Sequence, residues 1–253
     1  MGAPESGELG TDLTPGTLLG GRVQYAQPRT GFRSGIEPVL LAAWIPARAG
    51  EHVLEAGSGA GAALLCLAAR VPGVRGTGLE RAPELVALAT HNARANGFGA
   101  LSFQAGDVLA ADPAGPFDHA CANPPYHPDG GPASPVPARE AAKRGGPGGL
   151  AAWTAALARR VRPGGSVSLV LTAAGVPEVV AAMAAAGIGG ISLLALWPKP
   201  ERAAKLVLLR GVKGGRGPFR LLPGLVLHHP AGGFTPAAEA VLRDGAALQG
   251  AAL

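Results

Sequence analysis

The sequence predicts an α/β fold: one doubly wound, mostly parallel sheet of about seven strands, with an antiparallel hairpin at one edge. Three observations predict it. From residue 52 to residue 186, short apolar runs alternate with longer segments of helical apolar spacing. A glycine-rich turn, Gly57-Ser-Gly-Ala-Gly61, leaves one of the short runs and opens one of the helical segments. Polar groups stand at the ends of successive short runs, as Glu55, Glu80, Asp107 and Asn123. The carboxyl ends of the strands are where open α/β sheets take their ligands.

In chain order, residues 1–20 carry Gly, Pro, Thr and acids without periodicity and read as a loose segment ahead of one domain over 21–253. Gly20 to Arg33 gathers Arg22, Arg29 and Arg33 with Tyr25 and Phe32, at a spacing that suits neither a helix nor a strand of any length. Glu37 to Arg48 has a helical stripe of Val39, Leu40, Ala43 and Trp44, with Pro38 in its first turn and Pro46 at its end. Val53 and Leu54 make a short buried strand, and Ala62 to Val71 an apolar helix. Val74 to Leu79 is the next strand, ended by Glu80, and Pro83 to Asn96 a helix stopped at Gly97. Leu101 to Gln104 is the third strand and Phe117 to Ala122 the fourth. The fourth runs into Asn123-Pro124-Pro125-Tyr126, where two prolines end the strand and stiffen its exit.

Residues 127–149 are Pro, Gly and Ala with Arg139, Lys143 and Arg144. A loop of that length in a compact domain is usually functional or disordered. Leu150 to Val161 is helical, Ser166 to Thr172 a strand, and Val176 to Ala186 a helix stopped by Gly187. Ile191 to Trp197 and Ala204 to Arg210 are the last strands, and the short Pro-bearing connection between them makes them the edge hairpin. The tail is a basic extension with Lys213, Arg216 and Arg220, then His228-His229 and a weak helix from Pro236.

A chain of 253 residues with 47% hydrophobic content can bury a sizeable single core. The net charge of +5 permits a polyanionic partner without demanding one. Cys66 and Cys121 sit in apolar runs and read as buried free thiols of a reducing compartment. No apolar run is long enough to span a bilayer and no secretory signal is visible, so a cytoplasmic protein without a membrane partner is expected. His52, His91, His119 and His127 are scattered without metal-ligand spacing, so no metal is expected. A monomer is the default.

Gly57-x-Gly59-x-x-Ala62 also fits a dinucleotide fingerprint, with Glu80 at the place of its ribose acid. The loop alone therefore leaves a nicotinamide cofactor and S-adenosyl-L-methionine both open. Three features favour the second. Glu55 stands two residues before Gly57, where an acid can meet a cationic methionyl group and would repel a pyrophosphate. Asp107 follows the third strand and is placed to accept from an adenine amine. The Asn-Pro-Pro-Tyr stretch has no role in hydride transfer. The cofactor set on this reading is Glu55, Gly57, Gly59, Gly61, Glu80, Asp107 and Asn123.

The chain resembles the class I S-adenosylmethionine-dependent methyltransferases, a Rossmann-like fold. Within them it is similar to the bacterial tRNA (adenine-N6)-methyltransferases that act on valine tRNA, 3′ of the anticodon. The residues that carry the resemblance are Gln27 to Ala42, Val53 to Gly61, Asn123 to Tyr126 and Lys205 to Gly217. Glu37, Ser34 and His127 depart from that family's pattern. The resemblance implies that Asn123, Pro124, Pro125 and Tyr126 form a catalytic motif for methylation of an amino nitrogen, with the asparagine oxygen and the first proline carbonyl accepting the amine and the tyrosine stacking on the base. Enzymes that methylate a protein glutamine share this motif, and they are the alternative. A tRNA partner is expected to meet Arg33, Arg139, Lys143, Arg144, Lys213 and Arg216 as a basic rim around the site.

Overall fold

The computed structural model describes residues 12–30, 34–111, 113–125 and 149–248. Its centre is an eight-stranded sheet. The strands are β3 (His52–Ala56), β4 (Arg75–Glu80), β5 (Leu101–Ala105), β6 (Phe117–Ala122), β7 (Val161–Thr172), β8 (Ile188–Trp197), β9 (Leu206–Lys213) and β10 (Arg220–Val226). A separate two-stranded hairpin, β1 (Leu13–Leu18) with β2 (Val23–Pro28), precedes them. The helices are α1 (Glu37–Trp44), α2 (Ala62–Arg70), α3 (Pro83–Ala95), α4 (Gly149–Arg160), α5 (Val176–Ala185) and α6 (Pro236–Leu242). Among the described residues no helix is long and apolar enough to cross a membrane.

The spatial order of the sheet is β10-β8-β9-β7-β6-β3-β4-β5. From β3 the chain winds outward through β4 and β5, then returns to place β6 on the other side of β3, all in parallel. The switch point thus lies between β3 and β6, the crevice where such sheets bind ligands. Two cores cover the two faces, as a doubly wound sheet requires. One joins α1, α2 and α6 to the sheet, with Leu40, Trp44, Leu64 and Val241 buried. The other joins α4 and α5 to it, with Leu157, Val179 and Met183 buried.

The alternation of strand and helix from residue 52 to residue 186 stands as expected, and two other features differ. The hairpin β8–β9 is antiparallel but not at the edge: β9 inserts between β7 and β8, and the tail strand β10 pairs in parallel with β8 to form the edge. Leu13–Leu18, inside the stretch expected to be loose, and Val23–Pro28, in the stretch expected to hold neither helix nor strand, pair as β1 and β2. The support of β2 is lateral. Asn92 near the end of α3 and Asn96, its C-cap one turn later, face Ala26 and Gln24, two residues apart on β2. Asn92 accepts from the Ala26 N–H at 2.9 Å and donates to its carbonyl at 2.9 Å; Asn96 does the same for Gln24 at 2.8 and 2.7 Å. Four residues of helix rise about 6 Å and two of strand about 6.6 Å, so the two repeats match. Two side-chain amides thus satisfy backbone groups of β2 that its pairing with β1 leaves over.

Two of the scattered histidines, His52 and His119, have structural partners, and His127 lies outside the described residues. Along the amino edge, His119 bonds Ser166 at 2.8 Å and Glu51 at 3.0 Å, while His52 bonds Thr77 at 2.9 Å. Burial pulls both imidazoles below their usual range. Among the described residues no group of three or more His, Cys, Asp or Glu could hold a metal ion. Cys66 and Cys121 are free and buried, and burial pushes the Cys66 thiol up to about 12.

Candidate active site

In register, Ala56 pairs with Leu79 on one side and with Ala122 on the other, and Glu80 pairs with Ala105. The residues that follow, Gly57, Glu80 and Asn123, therefore leave adjacent strands at one edge. The glycine turn is built for an unusual path. Gly57, Gly59 and Gly61 have φ of 68, 54 and 89°, in the left-handed region that costs other residues. The N–H groups of Gly57 and Ser58 both donate to the Leu79 carbonyl, at 2.8 and 3.2 Å, which ties the turn to β4.

The two acids do different work. Glu80 lies across the turn: one carboxylate oxygen accepts from the Gly59 N–H at 2.9 Å, the other from the Ala82 N–H at 3.0 Å. Glu55 points under the loop, 4% exposed, and accepts from the Leu64 N–H at 3.2 Å. That amide belongs to the first turn of α2, where helix donors lack partners. Burial pushes the Glu55 carboxyl up to about 8, and the nearby Glu80 adds to the rise. A carboxyl so placed holds its proton more tightly than an exposed one, and a cation beside it would favour ionisation. Asp107 accepts from the Leu109 N–H at 2.8 Å, and its carbonyl accepts from Ala110 and Ala111, so it organises the turn after β5.

Several residues essential to this arrangement are not apparent from the sequence. Trp153 of α4 packs against the loop: a Cβ at Gly57 would lie 3.0 Å from its ring. Its only signal is a lone aromatic in an alanine-rich helix that follows the long Pro/Gly stretch. Asn92, 1% exposed, donates to the Ala60 carbonyl at 3.0 Å while it holds β2, and so couples the hairpin to the loop. Tyr25 of β2 is buried with its hydroxyl 2.8 Å from that of Ser34, and burial pushes it up to about 12.

Asn123 is half-buried, Pro124 buried and Pro125 half-buried, directly beyond β6. Tyr126, Arg33, Arg139, Lys143 and Arg144 lie outside the described residues. Lys213 and Arg216 are a correction. Strand β9 runs against β7, with Thr172 opposite Leu206 and Ser166 opposite Val212, so its far end reaches the amino edge. There Lys213 donates to the Ala158 and Val161 carbonyls at 2.9 and 2.8 Å and caps the end of α4. Neither residue belongs to a rim around the glycine loop.

The edge fits S-adenosyl-L-methionine. A Cβ at Gly59 would meet nothing within 4 Å, so the loop presents bare backbone to open space. The Ser58 hydroxyl in the same turn is buried without a hydrogen-bond partner. A buried acid, a second acid on the loop and an amide-rich turn suit a ligand with a cationic end and ribose hydroxyls. Residues 47–149 match the methyltransferase domain family. Over 206 residues the chain is 30% identical to the tRNA1(Val) (adenine(37)-N6)-methyltransferase of Aeromonas hydrophila, covering 81% of this chain and 86% of that protein. The chain belongs to the class I S-adenosylmethionine-dependent methyltransferases. This methyltransferase is also 44% identical over 79 residues to the release factor glutamine methyltransferase of Rhodospirillum rubrum, but that match covers 31% of the chain and 24% of that protein. In fold it is similar to a predicted O-methyltransferase of Agrobacterium tumefaciens, with a TM-score of 0.69 at 24% identity over 84% of this chain and 98% of that one.

Proposed function

We propose that this methyltransferase modifies the exocyclic amine of an adenine in tRNA, in the anticodon loop 3′ of the anticodon, in the cytoplasm. The observation that carries the reading is the extent of the Aeromonas hydrophila match, which runs through 81% of the chain. The glutamine methyltransferase match is confined to 31%. A likeness limited to one stretch fits shared cofactor chemistry; a likeness over nearly the whole chain also takes in the parts that meet substrate.

The cofactor supplies an electrophilic methyl group. An adenine amine is a weak nucleophile because its lone pair is delocalised into the ring. On this reading the Asn123 side-chain oxygen and the Pro124 carbonyl each accept one N–H of the amine. That fixes the nitrogen, favours a pyramidal form and turns its lone pair to the methyl carbon. Bound S-adenosyl-L-methionine would give up the methyl and keep the sulfur electron pair, and the ammonium so formed is acidic enough to lose its proton to water without a strong base from the chain. Alignment of this kind can contribute about 7–11 kcal/mol of a barrier. Glu80 would hold the ribose hydroxyls, Glu55 would balance the cationic end, and Asp107 would accept from the cofactor's adenine. Tyr126 would stack on the target base, a contact worth about 1–3 kcal/mol. The target must leave its stack, which suits a loop nucleotide.

Methylation assays run side by side on unmodified tRNA, a release-factor protein and duplex DNA test the proposal. Label is expected in tRNA alone, recovered as N6-methyladenosine after digestion. Label on a protein glutamine, with tRNA inert, would replace this reading with the alternative.

A further inference from the structure

The basic residues of the C-terminal third divide between the two edges of the sheet. Strand β8 runs parallel to β7, and Leu196 of β8 faces Leu206 of β9. The connection between them, residues 198–205, therefore emerges at the edge that holds the glycine loop and Asn123. It carries Lys199, Arg202 and Lys205, all exposed, and one acid, Glu201. Among the described residues none of the three cations has a carboxylate within ion-pair distance, whereas Arg29, Arg162 and Arg243 are each paired.

The connection is shaped by a tight turn. The Arg202 N–H donates to the Lys199 carbonyl at 3.3 Å, Pro200 takes the first central position, and Glu201 the second with φ of 59°. Glycine usually fills that second place. Proline and the strained glutamate hold Lys199 and Arg202 at the two ends of one rigid turn, and the Lys199 ammonium donates to the Pro230 carbonyl at 3.0 Å. Directly before the turn stands Trp197, 36% exposed. Its indole N–H is engaged by the Pro223 carbonyl at 3.3 Å, so the surface it leaves open is aromatic carbon.

An aromatic ring flanked by cations that no carboxylate neutralises is the combination that takes single-stranded nucleic acid: rings stack bases and cations meet phosphates. Strand β8 is three strands from β6 in the sheet, about 14 Å at ~4.8 Å per strand. That is the length of about four stacked nucleotides at ~3.4 Å each. We propose that Trp197, Lys199, Arg202 and Lys205 form a docking surface for the RNA strand that flanks the target base. The proposal rests on the tRNA reading above and adds where the neighbouring nucleotides lie. Three cations against the one acid Glu201 in this connection fit a polyanion better than a neutral glutamine-bearing loop.

The test uses the full chain with unmodified tRNA, in filter binding and in steady-state methylation. Lys199→Gln with Arg202→Gln should raise both Kd and KM for tRNA about tenfold, and lower the slope of log affinity against log salt by about 1–2. Trp197→Leu should raise KM about fivefold or more, with Trp197→Phe restoring most of the loss. In each variant kcat and S-adenosylmethionine affinity should stay within about twofold, and Arg216→Gln on the opposite edge should change nothing. Wild-type methylation of tRNA together with unchanged KM and salt slope in these variants overturns the docking surface and leaves the tRNA reading standing. Wild-type protein that leaves tRNA unmethylated removes both.

Discussion

Glu55 is a carboxyl held where a charge is costly, and this has a signature in pH. Its ordinary value of 4.5 is pushed up to about 8 in the fold. Between those values the folded chain keeps a proton that the unfolded chain has lost, so this group's contribution to stability falls as pH rises from 4.5 toward about 8. Glu55→Gln should remove that slope from the pH dependence of Tm while keeping an oxygen for the Leu64 N–H. Binding of the cationic cofactor should in turn expel the proton. Calorimetry at pH 7 in buffers of different ionisation enthalpy should register proton release by the wild type and none by Glu55→Gln. Equal release by the two would detach Glu55 from the cofactor.

The glycines separate strain from ligand contact. Alanine at either Gly57 or Gly59 forces a left-handed backbone, about 1–2 kcal/mol. At Gly57 the new methyl also meets Trp153 at 3.0 Å, whereas at Gly59 it meets nothing within 4 Å. Denaturant unfolding should show Gly57→Ala as the less stable variant. Titration should show Gly59→Ala losing far more cofactor affinity than its stability loss accounts for. Loss of affinity in proportion to stability would place the cofactor elsewhere.

Among the elements, Asn92 is the junction of hairpin, helix and glycine loop. Asn92→Ala strands the Ala26 N–H and the Ala26 and Ala60 carbonyls, and should lower unfolding free energy by about 2–4 kcal/mol. Asn96→Ala, more exposed, should cost about 1 kcal/mol. Urea denaturation of the two variants checks this; equal costs would mean the hairpin adds nothing to the loop. The same contacts explain what the sequence could reveal. Phe117 to Ala122 is legible because it is apolar and bounded by proline. The hairpin is not, because β2 is completed by side chains 66 to 72 residues away rather than by its own alternation. Strand β10 hides for a related reason: only Leu225 in it is buried, and its Pro223-Gly224 reads as a turn, while its pairing depends on β8.

At the scale of the molecule, the sheet divides the work between its edges. The carboxyl edge gathers the glycine loop, Glu80, Asp107 and Asn123, and this was legible because each follows an apolar run. Which basic residues share that edge was not, since it depends on β9 entering the sheet between β7 and β8. Lys213 shows the consequence. Lys213→Ala removes donors to two carbonyls at the end of α4 and should cost about 1–2 kcal/mol in stability with KM for tRNA unchanged. A raised KM in a well-folded Lys213→Ala protein would bring substrate to the amino edge.

In the proposed mechanism Asn123, at the switch point beside the glycine loop, aligns an amino nitrogen for methyl transfer. Single-turnover methylation of tRNA by Asn123→Ala at saturating S-adenosylmethionine, beside the cofactor Kd of the same variant, tests this role most directly. The rate should fall by about 100-fold or more with Kd within about threefold of wild type. A rate within tenfold of wild type at unchanged Kd would make Asn123 part of a structural turn and contradict that role.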